Sequence, residues 1–293
     1  MMTFSKTNNR LTTPWLNVFQ HNPKASLRLF CFPYAGGAAF IYRNWADHLP
    51  ADIELCPVQL PGRGARIREA PFVRIPRLIT ALYQELLPYL DKPFVFFGHS
   101  LGALLSFELT RKLSQDCQLE PLHLFVSGRN APQLLDTRPT TYNLPDEEFV
   151  KELRRLNGTP AEVLNQPELL QLIAPMIRAD FELCETYEHL TAPPLQCSIT
   201  ALGGLYDEDV PREKLEPWRE HTSAAFSLKM LPGDHFFLHS SESMLLQILT
   251  LELEAVLSRL NHHRVIQDPS AFSARGFGPA PSSEPQSQLF RRI

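Results

Sequence analysis

Short apolar runs closed by proline or glycine alternate along this chain with stretches whose apolar residues recur at helical spacing. "LRLFCFP" (27–33) reads as a buried strand that runs into the glycine turn "YAGG" (34–37). "IELCPVQLPG" (53–62) reads as a second strand and "FVFF" (94–97) as a third. Further strands are expected over 123–128, 197–204 ("CSITALGG") and 226–231 ("FSLKML"). Between them the period changes. Apolar residues from Ile75 to Leu90 follow a helical rhythm, and Leu101, Leu105, Leu109 and Leu113 form one stripe of a helix. Leu246, Leu249, Leu253, Val256, Leu257 and Leu260 mark a long amphipathic terminal helix.

Strands that alternate with helices predict an α/β chain, a mostly parallel central sheet with helices on both faces. One segment breaks the rhythm. From about 131 to 195 only helical patterns occur, "PDEEFVKELRRLN", "PAEVL" and "PELLQLIAPMIRADFELCETYEHL". An insertion of that size between two strands predicts a helical lid over the carboxyl ends of the strands. Residues 1–26 read as an irregular segment and 27–261 as the folded domain. The Pro-, Ser- and Gly-rich stretch 262–293 reads as a disordered tail.

Composition narrows the class without naming a chemistry. The 293 residues carry 28 basic and 32 acidic side chains, a net charge of −4, too little for a nucleic-acid surface or a polybasic membrane patch. No apolar run is long enough to span a bilayer, and the first residues lack the apolar core of a signal peptide. The five cysteines are odd in number and scattered with no CxxC, as in a reduced, cytoplasmic protein. No partner nucleic acid or membrane is expected, and the chain is expected to be a monomer.

"GHSLG" (98–102) follows the third strand and opens the Leu101–Leu113 helix. It fits G-x-S-x-G, in which a serine occupies a strained strand-to-helix turn at the positive end of a helix. Ser100 is therefore the candidate nucleophile. A serine hydroxyl needs a base to take its proton and an acid to hold that base in one tautomer, here in the order Ser, Asp or Glu, His. Of ten histidines, His235 stands out, in a turn after the last strand ("LPGDHFFL"). His239 is four residues on, but Phe236 replaces the glutamate of a helical zinc motif, and no metal is expected. His99 should point away from the site, into packing. "ALGGLYDEDVP" offers Asp207, Glu208 and Asp209 as the acid, with Asp207 preferred and Asp209 the fallback. The oxyanion requires two N–H donors. Leu101 is one candidate, and Ala35 or Tyr34 in the "PYAGG" turn supplies the other.

"FCFPYAGGAAFIYRNW", "VQLPGRGARIREAP", "FVFFGHSLGALLSFEL", "LFVSGRNAP", "ALGGLYDEDVPREKLEPWREHT" and "LPGDHFFL" occur together in that order. As a set, from about Leu27 to Leu257, they resemble the type II thioesterases associated with nonribosomal peptide and polyketide synthases. The resemblance implies an α/β-hydrolase fold with a mobile helical lid. It also implies hydrolysis of acyl groups from the phosphopantetheine arm of acyl or peptidyl carrier proteins, which clears misprimed synthases, with no cofactor. The family's catalytic positions fall on Ser100, Asp207 and His235. In "GDH" this chain has Asp234 where the family more often has glycine. Two other readings remain open, a carboxylesterase or lipase acting on oxygen esters and a non-catalytic binding module on the same fold. Carrier proteins are usually acidic, so Arg63, Arg66 and Arg129 are candidate docking points if exposed.

Overall fold

The computed structural model describes residues 13–134 and 138–267. Six strands, β1 (Leu27–Phe32), β2 (Ile53–Pro57), β3 (Phe94–His99), β4 (His123–Ser127), β5 (Ser198–Gly204) and β6 (Phe226–Leu231), form one sheet in the order β2-β1-β3-β4-β5-β6. Every pairing is parallel, with Phe30 opposite Phe96 and Phe97 opposite Phe125. A parallel strand is covered on both faces, which is why β1, β3 and β4 are buried at every position.

The helices that follow β2 and β3 are α1 (Ile75–Leu86) and α2 (Leu101–Cys117). The stripe Leu101, Leu105, Leu109 and Leu113 is wholly buried and shares a core with Phe30, Phe32 and Phe96. Those rings meet edge to face, Phe32 on Phe96 at 5.2 Å between centroids. On the opposite face Phe97 meets Trp45 at 5.0 Å. Tyr42 and Trp45 belong to a run of tight turns, Ala39–His48, that follows the glycine turn. The helix expected over Ile75 to Leu90 is shorter, because Pro88 ends α1 at Leu86 and a single tight turn, Leu87–Tyr89, completes it.

Between β4 and β5 lie α3 (Asp146–Leu156), α4 (Ala161–Leu164) and α5 (Pro167–Glu185), with no strand among the described residues. They have a small core of their own, made by Phe149, Leu153, Leu164, Met176 and Ile177, whereas Leu183 near the end of α5 belongs to the main core. After β5 come α6 (Arg212–Leu215) and, beyond β6, α7 (Phe237–Ser240) and α8 (Glu242–Gln267). Two compact units are distinguished. One extends to Val256 and carries all six strands, and the other begins at Leu257 and holds the end of α8. The Asn261 boundary read from sequence thus falls within a helix, since "HHRVIQ" contains neither proline nor glycine to stop it. Residues 268–293, most of the expected tail, lie outside the described residues, as do 1–12. The described part of the N-terminal segment is irregular except for a bridge between Leu16 and Val58. No described helix is long and apolar enough to cross a membrane.

Candidate active site

Ser100 stands between β3 and α2 with φ 54° and ψ −112°, a conformation that L residues avoid. Close backbone packing holds it there. A Cβ on Gly98 would lie 2.1 Å from the Gly102 carbonyl oxygen, and one on Gly102 would lie 2.0 Å from that of Phe32. Only glycine at both positions lets α2 start against β1 and β3. The Ser100 amide donates to the Ser127 carbonyl at 2.7 Å, which ties the turn to β4.

The loops after β5 and β6 carry the candidate acid and the candidate base. His235 Nδ1 lies 2.7 Å from Asp207 Oδ2. The other carboxylate oxygen accepts from the amides of Asp209 at 3.1 Å and Val210 at 3.0 Å. Burial pushes the Asp207 pKa up, but the hydrogen bond and charge of His235, with those two amides, outweigh it and leave the pKa below the usual carboxylate value. An ionised carboxylate only accepts hydrogen bonds, so Nδ1 carries the hydrogen in this contact, and whenever the ring holds one proton Nε2 is its acceptor. Asp209 is engaged elsewhere, 3.2 Å from Arg138 and 3.3 Å from Arg155.

The imidazole of His235 is 5.2 Å, centroid to centroid, from that of His99, the residue before Ser100. His99 is itself buried, with Nδ1 2.9 Å from Ser127 Oγ. Burial and the neighbouring His235 hold its pKa well below the ordinary imidazole value, so it is neutral packing. His239 Nε2 is 3.0 Å from the Tyr34 hydroxyl.

The turn after β1 is closed by the Gly37 amide donating to the Tyr34 carbonyl at 2.8 Å, with Gly36 at φ 80°. That φ at the third turn position requires glycine. The Gly36 amide donates to Asp180 Oδ2 at 2.7 Å. Two of the turn's amides are therefore occupied, and those of Tyr34 and Ala35 are the two that remain as candidate donors. Leu101 is the first residue of α2, where an N–H has no carbonyl within its own helix.

A cavity of about 380 Å³ is lined by Tyr34 of the turn after β1, by Asp234 and Phe236 on either side of His235, and by Asn157, Thr159 and His239. Its walls come from the loop between α3 and α4 and from the loop that carries His235, which touch each other at one point. Gly158 lies against the Phe236 ring so closely that a Cβ would come within 2.3 Å of it.

The docking role expected of Arg63 and Arg66 is overturned, because both side chains are buried. Arg63 forms a two-pronged pair with Asp180, 2.7 Å on each arm. Arg66 lies over the Trp15 ring and pairs with Glu69. Arg129 is half-buried, with its side chain directed at Cys184. Sequence reasoning passed over Asp180. A signal was present, since a carboxylate on the apolar stripe Met176, Ile177 and Leu183 demands a buried partner.

A family model described as "Thioesterase domain" matches residues 27–253. The chain is 48% identical over 246 residues to the linear gramicidin dehydrogenase LgrE of Brevibacillus parabrevis, covering 83% of this chain and 94% of the relative. It is 45% identical over 237 residues to the gramicidin S biosynthesis protein GrsT of Aneurinibacillus migulanus, covering 81% and 93%. Among solved structures, the type II thioesterase BorB from the borrelidin biosynthetic cluster superposes with a TM-score of 0.77 at 36% identity, covering 84% of this chain and all of that one.

Proposed function

The chain belongs to the thioesterase family, and from that premise we propose that it hydrolyses acyl thioesters through Ser100, Asp207 and His235. The observation that carries this assignment is the 2.7 Å contact between Asp207 and His235, two loops brought to the strand ends where Ser100 stands. His235 Nε2 takes the Ser100 proton as Oγ attacks the thioester carbonyl. The Leu101 and Ala35 amides receive the developing oxyanion, and the protonated imidazole gives its proton to the departing thiolate. Water, activated by the same nitrogen, then cleaves the acyl-enzyme.

The acyl donor is the phosphopantetheine arm of an acyl or peptidyl carrier protein in the cytoplasm, and the enzyme acts as a monomer that removes misplaced acyl groups from a synthase. The relatives' places in gramicidin S biosynthesis and in the borrelidin biosynthetic cluster support that reading. LgrE is named a dehydrogenase, but a dinucleotide cradle would need G-x-G-x-x-G after β1. Here that turn is Pro33, Tyr34, Ala35, Gly36, Gly37. The deciding experiment compares kcat/KM on an acyl-pantetheine thioester with that on the matched oxygen ester, alongside fluorophosphonate labelling of Ser100. Labelling with a clear thioester preference is expected. Faster turnover of the ester would make the protein a carboxylesterase, and no labelling would make it a binding module.

A further inference from the structure

The buried pair Arg63–Asp180 grips the turn that carries Ala35 from two sides. Asp180 Oδ2 accepts from the Gly36 amide at 2.7 Å, while Arg63 Nη1 donates to the Gly37 carbonyl at 3.1 Å. Gln59 adds a third hold, its Oε1 accepting from the Ala39 amide at 3.2 Å, and its Nε2 donates to the Arg63 carbonyl at 3.0 Å. These groups come from distant parts of the chain, since Asp180 lies on α5 of the inserted segment, 144 positions from Gly36. Two ions have been taken out of water to make the contact, a desolvation cost that their attraction has to offset. An apolar pair of the same volume would hold two segments together at least as well. What such a pair lacks is an acceptor for the Gly36 N–H.

We infer that Arg63 and Asp180 are positioning residues for the oxyanion turn. They fix the Tyr34–Gly37 turn so that the Ala35 amide is presented to the reacting carbonyl, and they make that presentation depend on the seating of α5. A carboxylate on the Gly36 N–H and a guanidinium on the Gly37 carbonyl hold the two residues that follow Ala35, and with them the backbone from which the Ala35 N–H projects. Oxyanion donors act through prior fixation, so a turn free to rotate loses rate and not substrate affinity. The inference rests on the reaction proposed above.

The test compares R63M/D180L, which removes both charges and the acceptor, with R63M/D180N, which keeps an acceptor oxygen. Charge-free replacements of this kind are often neutral for stability. In R63M/D180L, kcat on acyl-pantetheine should fall ~10- to 100-fold, a part of the ~10²–10³ that loss of a whole oxyanion donor costs, with KM within about twofold. R63M/D180N should recover most of that loss. A trifluoromethyl ketone analogue gives a second readout. Ser100 Oγ bonds to its carbonyl carbon, the oxygen becomes an alkoxide and His235 holds the proton, so its affinity should fall in parallel with kcat. The affinity of an unreactive amide analogue should stay unchanged, which a merely structural role would not produce. If both double variants unfold, Asp180→Glu, which keeps both charges but shifts the acceptor by one methylene, should show the same split. Unchanged kcat in folded R63M/D180L or, where both double variants unfold, in Asp180→Glu overturns the inference, as do equal losses for both analogues. A wild-type protein inert toward acyl-pantetheine sinks the hydrolase reading as well, and the two failures are thereby distinguished.

Discussion

Ser100 combines a backbone that the fold has to force with a side chain that the fold does not need. Its left-handed φ is imposed by the contacts of Gly98 and Gly102, which an alanine at position 100 would leave intact. Ser100→Ala should therefore keep the melting temperature of the wild type while turnover of acyl-pantetheine falls ~10⁶-fold. Near wild-type rates in the purified variant would remove Ser100 as nucleophile. The two aspartates of the β5 loop should separate just as clearly. Asp207→Asn lets His235 take the wrong tautomer and should cost roughly 10⁴-fold in kcat. Asp209 faces Arg138 and Arg155, so Asp209→Asn should be mild. Kinetics showing the reverse order would transfer the acid's role to Asp209. The Asp207 carboxylate also has a signature in stability. Its pKa is lower in the folded protein than its usual 3.8, so it stabilises the fold above that value and ceases to do so as pH falls through the folded value. The gap in melting temperature between wild type and Asp207→Asn should be flat near neutrality and close below about pH 4. A gap that widens toward acid would mean that the sign is wrong.

At the scale of elements, the inserted helices divide into a part that is tied down and a part that is not. The end of α5 is anchored by Asp180 and Leu183, whereas α3, α4 and the start of α5 rest mainly on their own small core. Amides over 146–170 should exchange faster than those of α5 beyond Ile177, and a carrier-linked substrate mimic should slow them. Protection equal to that of the central sheet, with and without the mimic, would argue against a lid. The strands that frame this insertion were legible because each apolar run ends at a proline or glycine, and β6 begins and ends where its residues predict. The run Ala39–His48 was not read. Its buried residues Ala39, Tyr42 and Trp45 recur every third position, the period of a tighter helix that a 3.6-residue template passes over. At the site, the order of motifs was enough to bring Asp207 and His235 into contact. The grip of Arg63 and Asp180 on Gly36 was not legible. It joins residues more than a hundred positions apart, and local pattern has no access to such pairings.

At the scale of the whole molecule, the question is what attracts a carrier protein. The chain has a net charge of −4, and an acidic carrier would feel no long-range pull toward it. Arg63 and Arg66 are spent on internal pairs and Arg129 is half-buried beside Cys184, so none of the three is an exposed docking cation. Charges on two separate surfaces interact over about 10 Å at 0.1 M ionic strength, and more salt shortens that reach. An encounter steered by opposite charges would slow as salt is added, while one guided by the pantetheine arm alone would not. The expectation follows directly. Between low and moderate salt, kcat/KM for an acyl-carrier protein should change by no more than that for the same acyl group on free pantetheine. The measurement needs both substrates at several ionic strengths and one enzyme preparation. A steep fall confined to the carrier-bound substrate would restore electrostatic docking and place it on arginines other than these three.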